Sequence, residues 1–198
     1  MRNMIRLFLV VLIFGAFSGG LLAAVRNGTQ ERIDYQQLKF VKGPTLKQLL
    51  EGCSNDPLVD RFKIKDGKKE WSIFLGVFDG KPNTVALEGF GKGFGGDMGV
   101  MVAVNLETDE IVGIGVTTHS ETPGLGTRTQ TEPAFSAQFK GLSIKDPFKV
   151  KPDGGKIDAL SGATVSSRGV CAGVASSGEV YLRLKNEIIK KVKALKKV

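Results

Sequence analysis

The chain has 198 residues, 41% hydrophobic and 24% charged, an ordinary globular composition with room for one domain and a short appendage. Its single histidine and its two widely separated cysteines, Cys53 and Cys171, exclude a multi-histidine metal centre, a zinc knuckle, a c-type haem site and a C-x-x-C redox motif. The formal net charge of +8 suits an acidic partner or an anionic membrane surface. Nucleic acid is not expected: the lysine-rich end (Lys185, Lys190, Lys191, Lys193, Lys196, Lys197) has no interleaved aromatic residues and no recognisable nucleic-acid module.

Leu7 to Val25 carries no charge and has about the length a bilayer core asks of a helix. Arg2 and Arg6 precede it, so the positive-inside rule keeps the N-terminus cytoplasmic and puts the remainder on the far side of the membrane. Ala23 and Ala24 offer a signal-peptide cut, but the apolar run is longer than a signal core and Leu22 suits the position three before that cut poorly. The expected arrangement is a retained single-pass anchor over residues 1–26 in the inner (plasma) membrane. Residues 27–69 read as a linker, broken at Gly43-Pro44 and Gly52-Cys-Ser-Asn55, with a short helix over Thr45–Glu51 capped by Thr45.

A domain over 70–198 follows. Trp71–Phe78 and Thr84–Phe90 read as strands around an Asp79-Gly80 turn. Met98–Val104 and Ile111–Thr117, rich in β-branched residues, form a second hairpin around Asn105–Glu110. Thr131–Phe139 is predicted helical with Pro133 in its first turn, and about Val165 to Val198 as one long helix. Strands cluster and helices flank them, so the fold class is α+β: an antiparallel sheet flanked by helices, preceded by one N-terminal transmembrane helix.

Three segments carry chemistry. Gly91-Lys-Gly93-Phe-Gly95-Gly96 fits the dinucleotide fingerprint G-x-G-x-x-G, but a β-rich run follows it where the pyrophosphate needs a helix N-terminus. It is a tight turn or a backbone surface bare enough to approach a flat ligand. His119-Ser-Glu121-Thr122-Pro123-Gly124-Leu125-Gly126 follows a strand and presents donors and acceptors on a Pro-Gly turn; it also reads as an ordinary surface loop. Asp158-Ala-Leu-Ser161-Gly162-Ala163-Thr164-Val-Ser166-Ser167 opens the last helix. It is either a plain cap, with Ser161 or Thr164 at the N-cap, or a phosphate site made of free N–H groups and hydroxyls.

In this order and spacing the segments resemble the FMN-binding domain family of the sodium-pumping NADH:quinone reductase and the Rnf electron-transport complex, closest to the G subunit of the latter. Asp158 to Thr164 has every fixed position of the family motif D-x-x-S/T-G-A-T/S, whose last residue carries FMN as a phosphodiester. Glu121–Gly126 is similar to the family's E-T-P-G-L-G, and Gly93–Gly96 to its G-Y/F-G-G. Phe135–Gly141 resembles a further family stretch, with Ala134 where an aromatic residue is common. The resemblance implies covalent FMN on Thr164, with Asp158, Ser161, Gly162, Ala163 and Ser166 around the phosphate. Glu121, Thr122, Leu125, Gly126, Gly95 and Gly96 would then line the flavin, with His119 and Arg128 as outer groups. It further implies an electron-carrier subunit of an ion-translocating ferredoxin:NAD oxidoreductase rather than a stand-alone enzyme. Its expected partners are other membrane, iron–sulfur and flavin subunits, membrane lipid, and a flavin transferase that uses FAD and magnesium. A flavinylated domain of another extracytoplasmic reductase and a cofactor-free exported adaptor are the alternatives. The two cysteines pair only if their Cα atoms come within about 7 Å.

Overall fold

A computed structural model describes residues 2–67 and 69–195; Lys196 and Lys197 of the lysine-rich end lie outside the described residues. The chain divides into two compact units, Met1–Phe40 and Val41–Val198.

The first unit is essentially one helix, α1 (Arg2–Gln36), none of whose side chains is buried within the protein. It is long and apolar enough to cross a membrane. Water would meet an apolar surface far larger than monomeric proteins expose, whereas a bilayer covers it. The helix continues beyond the apolar run, where a linker was expected. Thr29 Oγ1 donates to the Val25 carbonyl at 2.8 Å and Gln30 Nε2 to Asp34 Oδ1 at 2.8 Å. Such local i,i+4 contacts support the helical path.

In the second unit α2 (Gly43–Leu49) begins with Pro44 in its first turn and has no side-chain cap, so Thr45 lies inside the helix instead of capping it. Five strands follow: β1 (Arg61–Asp66), β2 (Lys69–Phe78), β3 (Lys81–Lys92), β4 (Asp97–Asn105) and β5 (Ile111–Thr118). They pair in sequence order as one antiparallel meander. Asp79 and Gly80 have φ of 53° and 69°, the positive pair that a tight β2–β3 hairpin turn requires. Gly93–Gly96 makes the β3–β4 turn, closed by Gly93 N–H donating to the Gly96 carbonyl at 2.8 Å. The expected helix over Thr131–Phe139 is two short ones, α3 (Arg128–Thr131) and α4 (Pro133–Ala137), with extended Glu132 between them. Pro133 has no N–H to continue the first helix and forces the residue before it out of the helical region. The chain ends in α5 (Thr164–Leu195).

Alternation along the strands gives the sheet two apolar faces. On one, Val85, Leu87, Val100, Val102 and Val104 meet Val170, Val174, Tyr181 and Ile188 of α5, with Phe135 and Phe139 closing the side. On the other, Leu46 and Leu50 are fully buried, and a Cβ at Gly76 would stand 3.0 Å from Leu50 Cδ2. There Lys42 Nζ lies 2.6 Å from Glu88 Oε2, while the Thr117 hydroxyl donates to Glu88 Oε1. Strand β1 and helix α2 therefore belong to the domain, which starts about thirty residues before the expected boundary at 70.

The axis of α5 comes unusually close to β3. A Cβ on Gly91 would overlap the Gly169 carbonyl oxygen, so glycine there is a steric requirement for seating the helix. This anchors the N-terminal half of α5 at the sheet end where β3, β4 and the tail of β5 meet.

Candidate functional site

Thr164 is the first residue of α5. The first intrahelical bond runs from Ser167 N–H to the Ala163 carbonyl at 2.9 Å, which leaves the N–H groups of Thr164, Val165 and Ser166 without intrahelical acceptors. Thr164 itself is only half-buried. The turn before it is held in place by Gly162 in the left-handed region (φ 78°) and by the Ala163 N–H bond to the Leu160 carbonyl at 2.9 Å. Neither Ser161 nor Thr164 caps the helix. Ser167 does the bracing from inside: its hydroxyl accepts the Leu160 N–H at 3.1 Å and donates to the Ala163 carbonyl at 2.9 Å. Arg128 adds a second brace, donating through Nη1 to the Ser161 carbonyl at 3.1 Å while Nη2 pairs with Glu132 at 2.8 Å.

Glu121 organises the neighbouring wall. It is buried; Oε1 accepts the Gly95 N–H at 2.9 Å and Oε2 the Ser166 hydroxyl at 2.5 Å. One side chain thus ties the β3–β4 turn and the loop after β5 to the first turn of α5. A Cβ on Gly93 would overlap Oε1, and one on Gly126 would overlap Oε2. The glycine cluster is spent mainly on seating α5 and this carboxylate, and within Gly91–Gly96 only Gly96 has positive φ (144°). Pro123 and Gly124 (φ 73°) turn the loop, and the Thr122 carbonyl accepts the N–H groups of Leu125 and Thr127. His119 is structural: Nδ1 accepts the Glu121 N–H at 3.3 Å and Nε2 meets Gln130 Oε1 at 3.0 Å, the pattern of a neutral ring donating through Nε2.

The structure brings Gly95, Glu121, Leu125, Gly126, Ser161, Gly162, Ala163, Thr164 and Ser166 to one end of the sheet. A Cβ on Gly162 would lie 3.4 Å from Leu125 Cδ2, which joins the two loops directly. Two expected residues stand otherwise than the motif suggested. Asp158 is exposed, and Lys151 takes its carboxylate at 2.7 Å. Ser166 is buried with its hydroxyl committed to Glu121, so it does not face a phosphate. Thr122 enters through its backbone, its side chain exposed. Three contributors were not among the expected site residues: Phe94, 75% exposed at the tip of the β3–β4 turn, the bracing Ser167, and Gly169, whose Cβ would stand 3.0 Å from Gly93 Cα. The tandem Ser166-Ser167 in a first turn was the available signal for one of them.

This geometry fits FMN. Free N–H groups at a helix start favour a phosphate, Thr164 is the first residue of that helix, and exposed Phe94, Leu125 (48%) and Val165 (43%) offer apolar surface to a flat ring.

Residues 93–178 match the family described as FMN-binding domain. Over 182 residues the chain is 28% identical to the G subunit of the ion-translocating oxidoreductase complex of Vibrio cholerae, covering 86% of this chain and 87% of that protein. It is 29% identical over 171 residues to the protein of the same name from Methanosarcina acetivorans, covering 85% and 89%. Among solved structures, the C subunit of the Na(+)-translocating NADH-quinone reductase from Parabacteroides distasonis superposes with a TM-score of 0.52 at 28% identity, over 59% of this chain and 63% of that one.

Proposed function

We propose that the protein is the electron-carrier subunit of an Rnf-type ion-translocating ferredoxin:NAD oxidoreductase, with FMN held by a phosphodiester on Thr164. The observation that carries this reading is the position of Thr164: first residue of α5, half-exposed, beside three N–H groups with no intrahelical acceptor. The FMN-binding domain and the relatives from ion-translocating oxidoreductase complexes support it and speak against a cofactor-free adaptor.

FMN supplies the redox chemistry, accepting one or two electrons and so linking pair and single-electron carriers. The chain's own residues bind and orient. The α5 N-terminus compensates phosphate charge, Arg128 and Ser167 fix the turn that presents Thr164, and Phe94 and Leu125 shield the ring. Attachment falls to a flavin transferase, and the other subunits of the complex supply and take electrons. The cytoplasmic N-terminus implied by Arg2 and Arg6 places the domain outside the cytoplasm, where a dissociated flavin would be lost by dilution.

The test is Thr164→Val in the transferase-containing host. Loss of in-gel flavin fluorescence after denaturation is expected, together with loss of the mass of FMN less one water on the peptide containing residue 164. Fluorescence that survives the substitution would sink the assignment.

A further inference from the structure

Glu121 poses a problem of charge. Its two hydrogen bonds, from Gly95 N–H and from the Ser166 hydroxyl, could equally be made by a neutral glutamine: its oxygen would accept from Gly95 and its amide nitrogen would donate to Ser166 Oγ. A buried carboxylate is costlier than an amide for the same clamp. Among the described residues no cation lies within ion-pair distance of it. The basic groups of the adjoining loop are occupied: the His119 ring uses Nδ1 to accept Glu121's own N–H, and Arg128 is held by Glu132 and the Ser161 carbonyl. Two glycines, Gly93 and Gly126, keep the space that this side chain fills. The charge is thus built into the site without a counter-ion, one hydrogen bond away from the first turn of α5.

We infer that Glu121 is a positioning residue whose buried, unpaired charge also lowers the reduction potential of a flavin tethered at Thr164. This rests on the attachment proposed above. Reduction brings negative charge onto the ring, and a fixed negative charge across a low-dielectric wall opposes it. The same carboxylate holds the three segments that wall the site, so charge and geometry are set together.

Glu121→Gln separates the two, since it keeps both hydrogen bonds and removes only the charge. In the flavinylated full-length protein, stepwise reduction with dithionite against reference dyes should show a higher midpoint potential for E121Q than for the parent. Thermal unfolding should be no lower than the parent's, since the amide is the cheaper group to bury, and Glu121→Asp, which keeps the charge, should stay with the parent in potential. An E121Q potential equal to the parent's would overturn the inference. So would an E121Q protein that no longer folds or carries flavin, because the charge would then be serving the structure. Covalent flavin is measured on the parent in parallel: its absence there would defeat the attachment reading, whereas a flavinylated parent with an unshifted variant defeats this inference alone.

Discussion

At the end of the β4–β5 turn, Asp109 sits with φ 60°, and its carboxylate gathers three donors: Tyr181 Oη at 2.8 Å, Lys185 Nζ at 2.5 Å and Lys145 Nζ at 2.9 Å. Burial pushes its pKa up, but the hydrogen bonds from Lys185, Lys145 and Tyr181 outweigh that and hold it down at about 2. A depressed carboxylate stabilises the fold above its unfolded value near 3.9 and loses that contribution as pH falls toward the folded one, worth about 2 kcal/mol. Stability should therefore decline between roughly pH 5 and pH 2. Asp109→Asn should flatten that decline and lower the Tm at neutral pH by roughly 5 °C, measurable by calorimetry. Burial, with the Asp109 bond added, pushes the Tyr181 hydroxyl up. The thiols differ in the same way. Cys53 and Cys171 are both free; burial raises Cys171 to about 12, whereas Cys53 is partly exposed. Iodoacetamide at pH 8 should alkylate Cys53 alone in the native protein, as peptide mass spectrometry would show. The helix start at Thr164 was legible because a run of small and hydroxyl residues precedes a periodic segment; its reading as an attachment residue came from the family resemblance alone. The inward turn of Glu121 was not legible, since its partners Gly95 and Ser166 lie far away along the chain and a Pro-Gly loop reads as surface.

Strands β2 to β5 could be read from alternation and β-branching, and α5 from its period. Strand β1 could not. Arg61-Phe-Lys-Ile-Lys-Asp66 offers only two apolar side chains, Phe62 and Ile64, because an edge strand packs on one side and keeps lysines toward water. Helix α2 was legible as a short helix over Thr45–Glu51, but its place in the domain was not: a seven-residue helix carries little periodic signal, and its burial depends on a second sheet face that only exists once β1 to β5 pair. Leu46 is its fully buried anchor, so Leu46→Ala should cost about 2–5 kcal/mol, read as a shift of the urea midpoint. The β3–α5 seam is less tolerant. Gly91→Ala places a methyl on the Gly169 carbonyl, where backbone has to move on both sides. A loss of at least about 1–3 kcal/mol is expected, with flavin incorporation falling in parallel because Gly93 and Gly169 lie one step further along the same seam.

The hydrophobic core lies within Val41–Val198, and among the described residues none of the first unit belongs to it. A chain starting at Val41 should therefore fold with unchanged cooperativity and remain in the supernatant after ultracentrifugation, whereas the full chain sediments with membranes. Part of the positive charge is paired at the surface: Lys63–Glu70, Lys151–Asp158, Arg168–Asp153 and Arg183–Asp66 all lie within ion-pair distance. Exposed pairs of this kind contribute little to stability.

The close seat of α5 on β3 sets a timetable for how the molecule is made. The sheet is finished by Thr118, yet Val85, Leu87, Val100 and Val102 face open water until α5, which begins only at Thr164, arrives to cover them. Contacts so distant along the chain are slow to form, and a chain cut short before α5 has no way to close that face. Thr164 becomes a helix start only at that same moment. On the attachment proposed above, a transferase acting on its hydroxyl would need α5 seated on the sheet, so a chain without that seat should stay unmodified.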